Sequence, residues 1–272
     1  MTMRNFRKTA VVLLSLGMGF GVALQAQDFA GGLGNAELER RLGVESVLFN
    51  ATIKDAPDDD MIELGRLVAM GGAENGGSGM ACITCHGVEG HGDGSGAFPR
   101  LDGQAGWYLY KQLNDYASGA RPNRVMSGIA ERLTEPEREA VSAYYAALPA
   151  GTFDTARGRI DGTLLQWGGQ LAAVGSAEKG IPACVNCHGP QGTGLPPSVP
   201  YLAGQYAGYM ELQLTLWQDG VRDNDAMNVM EAIARKMSEE DIRAVSEYYA
   251  RVANPAEMEA IPARELDAPG AQ

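Results

Sequence analysis

CITCHG at residues 82–87 and CVNCHG at residues 184–189 decide the fold of this 272-residue chain. In each stretch two residues separate a pair of cysteines, and a histidine follows the second cysteine. A bare C-x-x-C reads as a redox dithiol, half of a zinc site, or an attachment point for haem. Export from the cytoplasm would add a structural disulfide to these readings. The histidines separate them. The chain has three, and two of them, His86 and His188, directly follow a cysteine pair. In C-x-x-C-H the thiols bond covalently to haem, and the adjacent histidine is held under the iron as an axial ligand. Two covalently bound haem c groups are therefore expected, one on Cys82, Cys85 and His86, the other on Cys184, Cys187 and His188. A four-cysteine zinc site would leave both histidines without a role.

The two motifs head two copies of one longer unit. Each is followed by a Gly-rich loop and then P-x-L-x-G-Q, at 99–104 and 200–205. Aromatic-rich helical stretches follow at 107–117 and 206–217, with Gly119 and Gly220 placed as helix stops. The copies then run in step from Met126 and Met230 as MSGIAERLTEPEREAVSAYYAAL and MEAIARKMSEEDIRAVSEYYARV. Thr134 with Glu137, and Ser238 with Asp241, read as capping boxes. Val141, Tyr144, Tyr145 and Leu148, and Val245, Tyr248, Tyr249 and Val252, recur at helical spacing. Further helices are expected at 61–70 and 165–174. No stretch alternates as a strand would, so the fold class is all-α. The acidic runs at 58–60 and 239–241 read as solvated helix starts.

Counting limits the sixth ligand. Two bis-histidine irons would need more histidines than the chain has. Met126 is the one methionine between His86 and Cys184, and Met230 holds the same place in the second copy, each 18 residues before a Tyr-Tyr pair. Methionine opposite histidine raises a haem potential, as electron transfer requires. The expected axial pairs are His86 with Met126 and His188 with Met230. Met227 competes for the second iron, because the loop before it is longer than in the first copy. Met210 and Met237 align with Leu109 and Leu133 and read as core. His91 has no counterpart in the second copy and reads as a surface loop residue.

Residues 1–26 have the order of a secretory signal. Arg4, Arg7 and Lys8 precede an uncharged apolar stretch, and small residues precede Gln27. An uncleaved signal would leave a tether, so membrane contact is at most peripheral or through that segment. The net charge of −12 speaks against nucleic acid as a partner. It suits a basic protein partner instead. The chain divides into signal (1–26), N-terminal extension (27–60), first domain (61–149), linker (150–163), second domain (164–253) and tail (254–272).

The tandem units, each with P-x-L-x-G-Q and a methionine just before the last helix, resemble the di-haem cytochrome c4 family across about residues 64–252. The resemblance implies two tandem class I cytochrome c domains packed together, each wrapped around its haem. It implies that the carbonyls of Pro99 and Pro200 receive the ring N–H of His86 and His188. It matches Gly65 and Gly169 to the small residue where first and last helices cross. It also implies a periplasmic protein carrying electrons toward an acceptor such as a terminal oxidase. Three functions follow: a carrier between redox proteins that include a membrane oxidase or reductase, the electron-accepting subunit of a periplasmic dehydrogenase of flavocytochrome type, or a haem enzyme such as a peroxidase. The last needs an iron with an open site, which a methionine for each haem disfavours.

Overall fold

The structure is a computed structural model that describes residues 57–71, 80–150, 160–194 and 199–252. The signal, most of the N-terminal extension, the centre of the linker and the tail lie outside the described residues.

Asp58 starts the first helix, α1 (Asp59–Ala69), by accepting the Met61 N–H at 2.8 Å. Asp59 and Asp60 add negative charge in the first turn, where the helix dipole favours it. The first C-x-x-C-H forms a one-turn helix, α2 (Ile83–His86). Helix α3 (Gly106–Ser118) ends at Gly119, whose φ of 79° is the left-handed geometry that a C-cap needs. A short α4 (Met126–Ala130) leads into α5 (Glu135–Ala147), which starts on the Thr134/Glu137 capping box. Val68, Ala69, Leu109, Leu133, Val141 and Tyr145 fill the core between these helices.

The second unit repeats the design. Helix α6 (Gly162–Ala173) starts where Asp161 caps the Thr163 N–H, inside the stretch read as linker. It is followed by α7 (Val185–His188), α8 (Ala207–Gln218), α9 (Val229–Ala234) and α10 (Glu239–Tyr249). The Ser238/Asp241 capping box opens α10. Leu171, Ile181, Met210, Met237, Ile242, Val245 and Tyr249 form its core, with Met210 and Met237 buried as expected. Among the described residues there is no strand; Ser176 and Ile181 form an isolated bridge.

Three expectations need correction. The glycine equivalent to Gly65 is Gly168, not Gly169. A Cβ on Gly65 would come within 2.1 Å of the Ala140 carbonyl oxygen, and one on Gly168 within 2.1 Å of that of Ala244. Gly169 instead lies beside the Tyr248 ring, one helical step round. Asp241 is not solvated. It is buried, and accepts from the Trp167 indole at 2.8 Å and from Lys179 Nζ at 2.6 Å. His91 is no free surface residue either. Its ring stands between the Glu89 carboxylate at 3.3 Å and the Asp102 carboxylate at 3.6 Å.

Candidate haem sites

The two C-x-x-C-H helices open onto one continuous cavity of about 390 Å³, lined by Cys82, Cys85 and His86 and by Cys184, Cys187 and His188. Each helix lasts one turn because glycine ends it, Gly87 at φ 77° and Gly189 at φ 74°. The chain then folds back, so that Gly92 N–H reaches the His86 carbonyl and Gly194 N–H that of His188, both at 2.6 Å. Both histidines are buried. His86 Nδ1 lies 3.0 Å from the Pro99 carbonyl oxygen, and His188 Nδ1 lies 2.9 Å from that of Pro200. A carbonyl only accepts, so Nδ1 carries the proton and the Nε2 lone pair is left for a metal. Burial pushes both rings below their ordinary pKa, against the opposing pull of the carbonyls. The neutral, ligand-competent imidazole is therefore favoured.

The four cysteines form no disulfide. Burial pushes the thiols of Cys82 and Cys184 up to about 11, so neither is poised as a thiolate. A reactive dithiol needs the opposite shift. Among the described residues no group of three or more His, Cys, Asp or Glu side chains is placed to hold a metal ion.

Met126 and Met230 both line the cavity, whereas Met227 does not and is 78% exposed. In the first unit Asn123 Oδ1 accepts the N–H of Met126 at 2.8 Å and of Val125 at 2.9 Å, which starts α4. In the second unit the Asp225 carboxylate accepts the Met230 N–H at 2.6 Å. The longer second loop is taken up in the turn Ala226–Asn228, where Met227 and Asn228 are left-handed at φ 59° and 54°. The turn carries Met227 outward.

A buried polar cluster joins the two units beside the cavity. Arg121 donates to Gln112 Oε1 at 2.8 Å, Gln213 Oε1 at 2.5 Å and the Tyr209 hydroxyl at 3.1 Å. Arg222 donates to Gln213 Oε1 at 2.7 Å, Gln112 Oε1 at 3.2 Å and Asn224 Oδ1 at 2.9 Å. Sequence reasoning missed these residues. A signal existed, since each copy has a glutamine in its aromatic helix and an arginine two residues after the glycine stop.

Both arginines are almost fully buried and, among the described residues, neither has a carboxylate within ion-pairing distance. A buried cation left uncompensated is costly. Haem carries propionate carboxylates, so a cavity lined by two guanidinium groups with no carboxylate partner among the described residues fits it. The Trp217 indole N–H and the Tyr145 hydroxyl are also buried in the cavity wall, with no hydrogen-bond partner among the described residues. The thiols, imidazoles, methionines and cations present thus fit a covalently held haem in each unit.

The sequence profile of the family described as Cytochrome c matches residues 78–149 and 178–252. The solved structure of reduced recombinant cytochrome c4 from Pseudomonas stutzeri is 35% identical, with a TM-score of 0.56, over 63% of this chain and 93% of that one. The chain belongs to the di-haem cytochrome c4 family. This cytochrome has two tandem cytochrome c domains, carries two covalently bound haem c groups and is an electron-transfer protein. It is 44% identical over 187 residues to the thiosulfate dehydrogenase electron acceptor of Stutzerimonas stutzeri, covering 69% of this chain and 85% of the relative. It also resembles the solved thiosulfate dehydrogenase (TsdBA) from Marichromatium purpuratum, at 38% identity and a TM-score of 0.62 over 70% of this chain. This cytochrome spans 40% of that longer chain. Among the described residues no helix is long and apolar enough to cross a membrane.

Proposed function

We propose that this cytochrome works in the periplasm, takes electrons one at a time from a dehydrogenase acting on thiosulfate, and passes them to an acceptor such as a membrane oxidase. The likeness to the thiosulfate dehydrogenase electron acceptor, across 85% of that protein, carries this reading of the donor. The haem irons supply a one-electron couple. Cys82 and Cys85, and Cys184 and Cys187, form the thioether bonds. His86 with Met126, and His188 with Met230, hold the two irons. Pro99 and Pro200 fix the proximal rings through their carbonyls, which keeps each Nε2 aimed at its site. With a histidine and a methionine of the chain to hold each haem, neither site would be left for a substrate, and the chain itself would perform no substrate chemistry.

The donor assignment is tested by mixing the oxidised holo-protein with a purified thiosulfate dehydrogenase and thiosulfate. Reduction of both haems within the enzyme's turnover time is expected. Reduction no faster than in the absence of the enzyme would overturn the assignment. Docking through an acidic surface should also weaken with salt, so the rate should fall as ionic strength rises.

The ligand assignment is tested by adding carbon monoxide to the dithionite-reduced protein. An unchanged spectrum is expected, because both irons hold a sixth ligand. A change amounting to one haem would make that site open and restore the enzyme reading for it.

A further inference from the structure

The Pro99–Arg100 peptide makes two hydrogen bonds of different consequence. Its oxygen faces His86 Nδ1 at 3.0 Å. Its N–H donates to Gln205 Oε1 at 3.0 Å, and Gln205 belongs to the other domain. Gln205 Nε2 returns a bond to the Arg100 carbonyl at 3.1 Å, so the side-chain amide is clamped at both ends. The mirror arrangement holds on the other side. The Pro200–Tyr201 peptide faces His188 Nδ1 at 2.9 Å, and its N–H donates to Gln104 Oε1 at 3.2 Å. Gln104 Nε2 returns a bond to the Tyr201 carbonyl at 3.1 Å. Both glutamines are buried, and each ends the P-x-L-x-G-Q of its own repeat.

An amide that donates through its N–H becomes a better acceptor at its oxygen. Such polarisation strengthens each bond by about 10–30% in condensed phase, and a buried, water-poor site preserves it. A stronger acceptor at Nδ1 gives the imidazole more imidazolate character and more electron density at Nε2. That favours the oxidised iron and lowers the potential.

We propose that each interface glutamine sets the potential of the haem in the opposite domain: Gln205 that of the haem held by His86, and Gln104 that of the haem held by His188. The proposal rests on these histidines being the proximal ligands. The crossing follows from the fold, because each glutamine pairs with the partner repeat's proline–histidine unit rather than its own. Docking of the two domains is thereby part of what fixes both potentials. Arg100 and Tyr201, the residues whose N–H groups are bound, strengthen the same seam. The Arg100 guanidinium donates to the Gly204 carbonyl at 3.1 Å, and the Tyr201 hydroxyl donates to that of Asp102.

The test is a redox titration of the holo-protein and its Gln205→Met variant. Each wave is assigned to its domain by the NMR signals of the haem substituents. Loss of one hydrogen bond corresponds to roughly two- to tenfold in an equilibrium constant. The potential of the haem on His86 should therefore rise, by at most about 59 mV for a one-electron couple. The haem on His188, in the mutated domain, should hold its value. The His86 Nδ1–H resonance of the reduced protein should shift upfield while that of His188 stays. Gln205→Glu keeps the acceptor for the Arg100 N–H, loses the donor to the Arg100 carbonyl, and should hold the potential at or below the native one. Gln104→Met makes the opposite assignment, and it stands in if Gln205→Met does not fold. A shift confined to the mutated domain, an equal shift of both haems, or no shift in either would overturn the proposal. Failure of the ligand assignment is read separately, as carbon monoxide binding by the native protein.

Discussion

Gly65 lies against Ala140 so closely that a Cβ on the glycine would come within 2.1 Å of the alanine carbonyl oxygen. Backbone cannot rotate out of the way, so any side chain there forces α1 and α5 apart. Gly168 has the same relation to Ala244, and Gly169 does not. Gly65→Ala and Gly168→Ala should each destabilise the holo-protein by about 3 kcal/mol or more, at the upper end of overpacking costs. Gly169→Ala meets only the edge of the Tyr248 ring, at 3.2 Å, and gains helix propensity. It should lie within about 1 kcal/mol of the native protein. Denaturant unfolding followed at the haem band separates the two outcomes.

Met230 and Met227 sit three residues apart but on different sides of the loop. Met230→Ala should open one iron, so that the reduced protein binds about one equivalent of carbon monoxide per chain and the oxidised protein loses part of its sulfur-to-iron charge-transfer band. Met227→Ala should leave both properties unchanged. The reverse pattern would move the axial ligand to Met227. Met126→Ala should open the other iron in the same way.

His91 is the one histidine outside the C-x-x-C-H motifs, so its titration stays visible in the holo-protein. Burial holds its pKa below the ordinary 6.5. The Asp102 carboxylate pulls it up, the Arg100 guanidinium pushes it down, and Glu89 pulls it up. A folded-state value below the unfolded one means that the unfolded chain takes the proton first. Stability is then fully present above 6.5, and declines as pH falls from there toward the folded value. His91→Gln should flatten that part of the profile. Unfolding at about pH 5 and about pH 8 checks it, and an equal difference in both proteins would exclude His91 as the source.

Arg121 places a buried positive charge on the wall of the haem cavity. A nearby cation favours the reduced iron, which carries less positive charge. A unit charge about 10 Å away is worth roughly 1–2 kcal/mol at an effective dielectric constant near 20. Arg121→Met should therefore lower the sum of the two midpoint potentials by an amount of that order. Arg222 would still donate to Gln112 and Gln213, so the interface amides keep a partner. A potentiometric titration reads the result directly. An unchanged or raised sum would remove Arg121 from the electrostatics of the haems.

The haem sites were legible in the sequence because their chemistry is local. Two thiols and a histidine within five residues supply everything that covalent haem attachment and a first ligand call for. The helix starts were legible for the same reason, since Thr134 with Glu137 and Ser238 with Asp241 satisfy their own first turns. Comparison of the copies also singled out Met126 and Met230, which line the cavity, and marked Met210 and Met237 as core.

Tertiary structure decided what depends on residues 62 to 105 positions apart. Gly168 rather than Gly169 meets the last helix, because the crossing angle chooses between adjacent residues that periodicity leaves equivalent. Asp241 reads as a solvated cap until α6 and the loop after it bring Trp167 and Lys179 onto it. The exchange of Gln104 and Gln205 across the seam has no local signature. Only the packing of one repeat on the other brings each glutamine to the peptide that follows the partner repeat's proline.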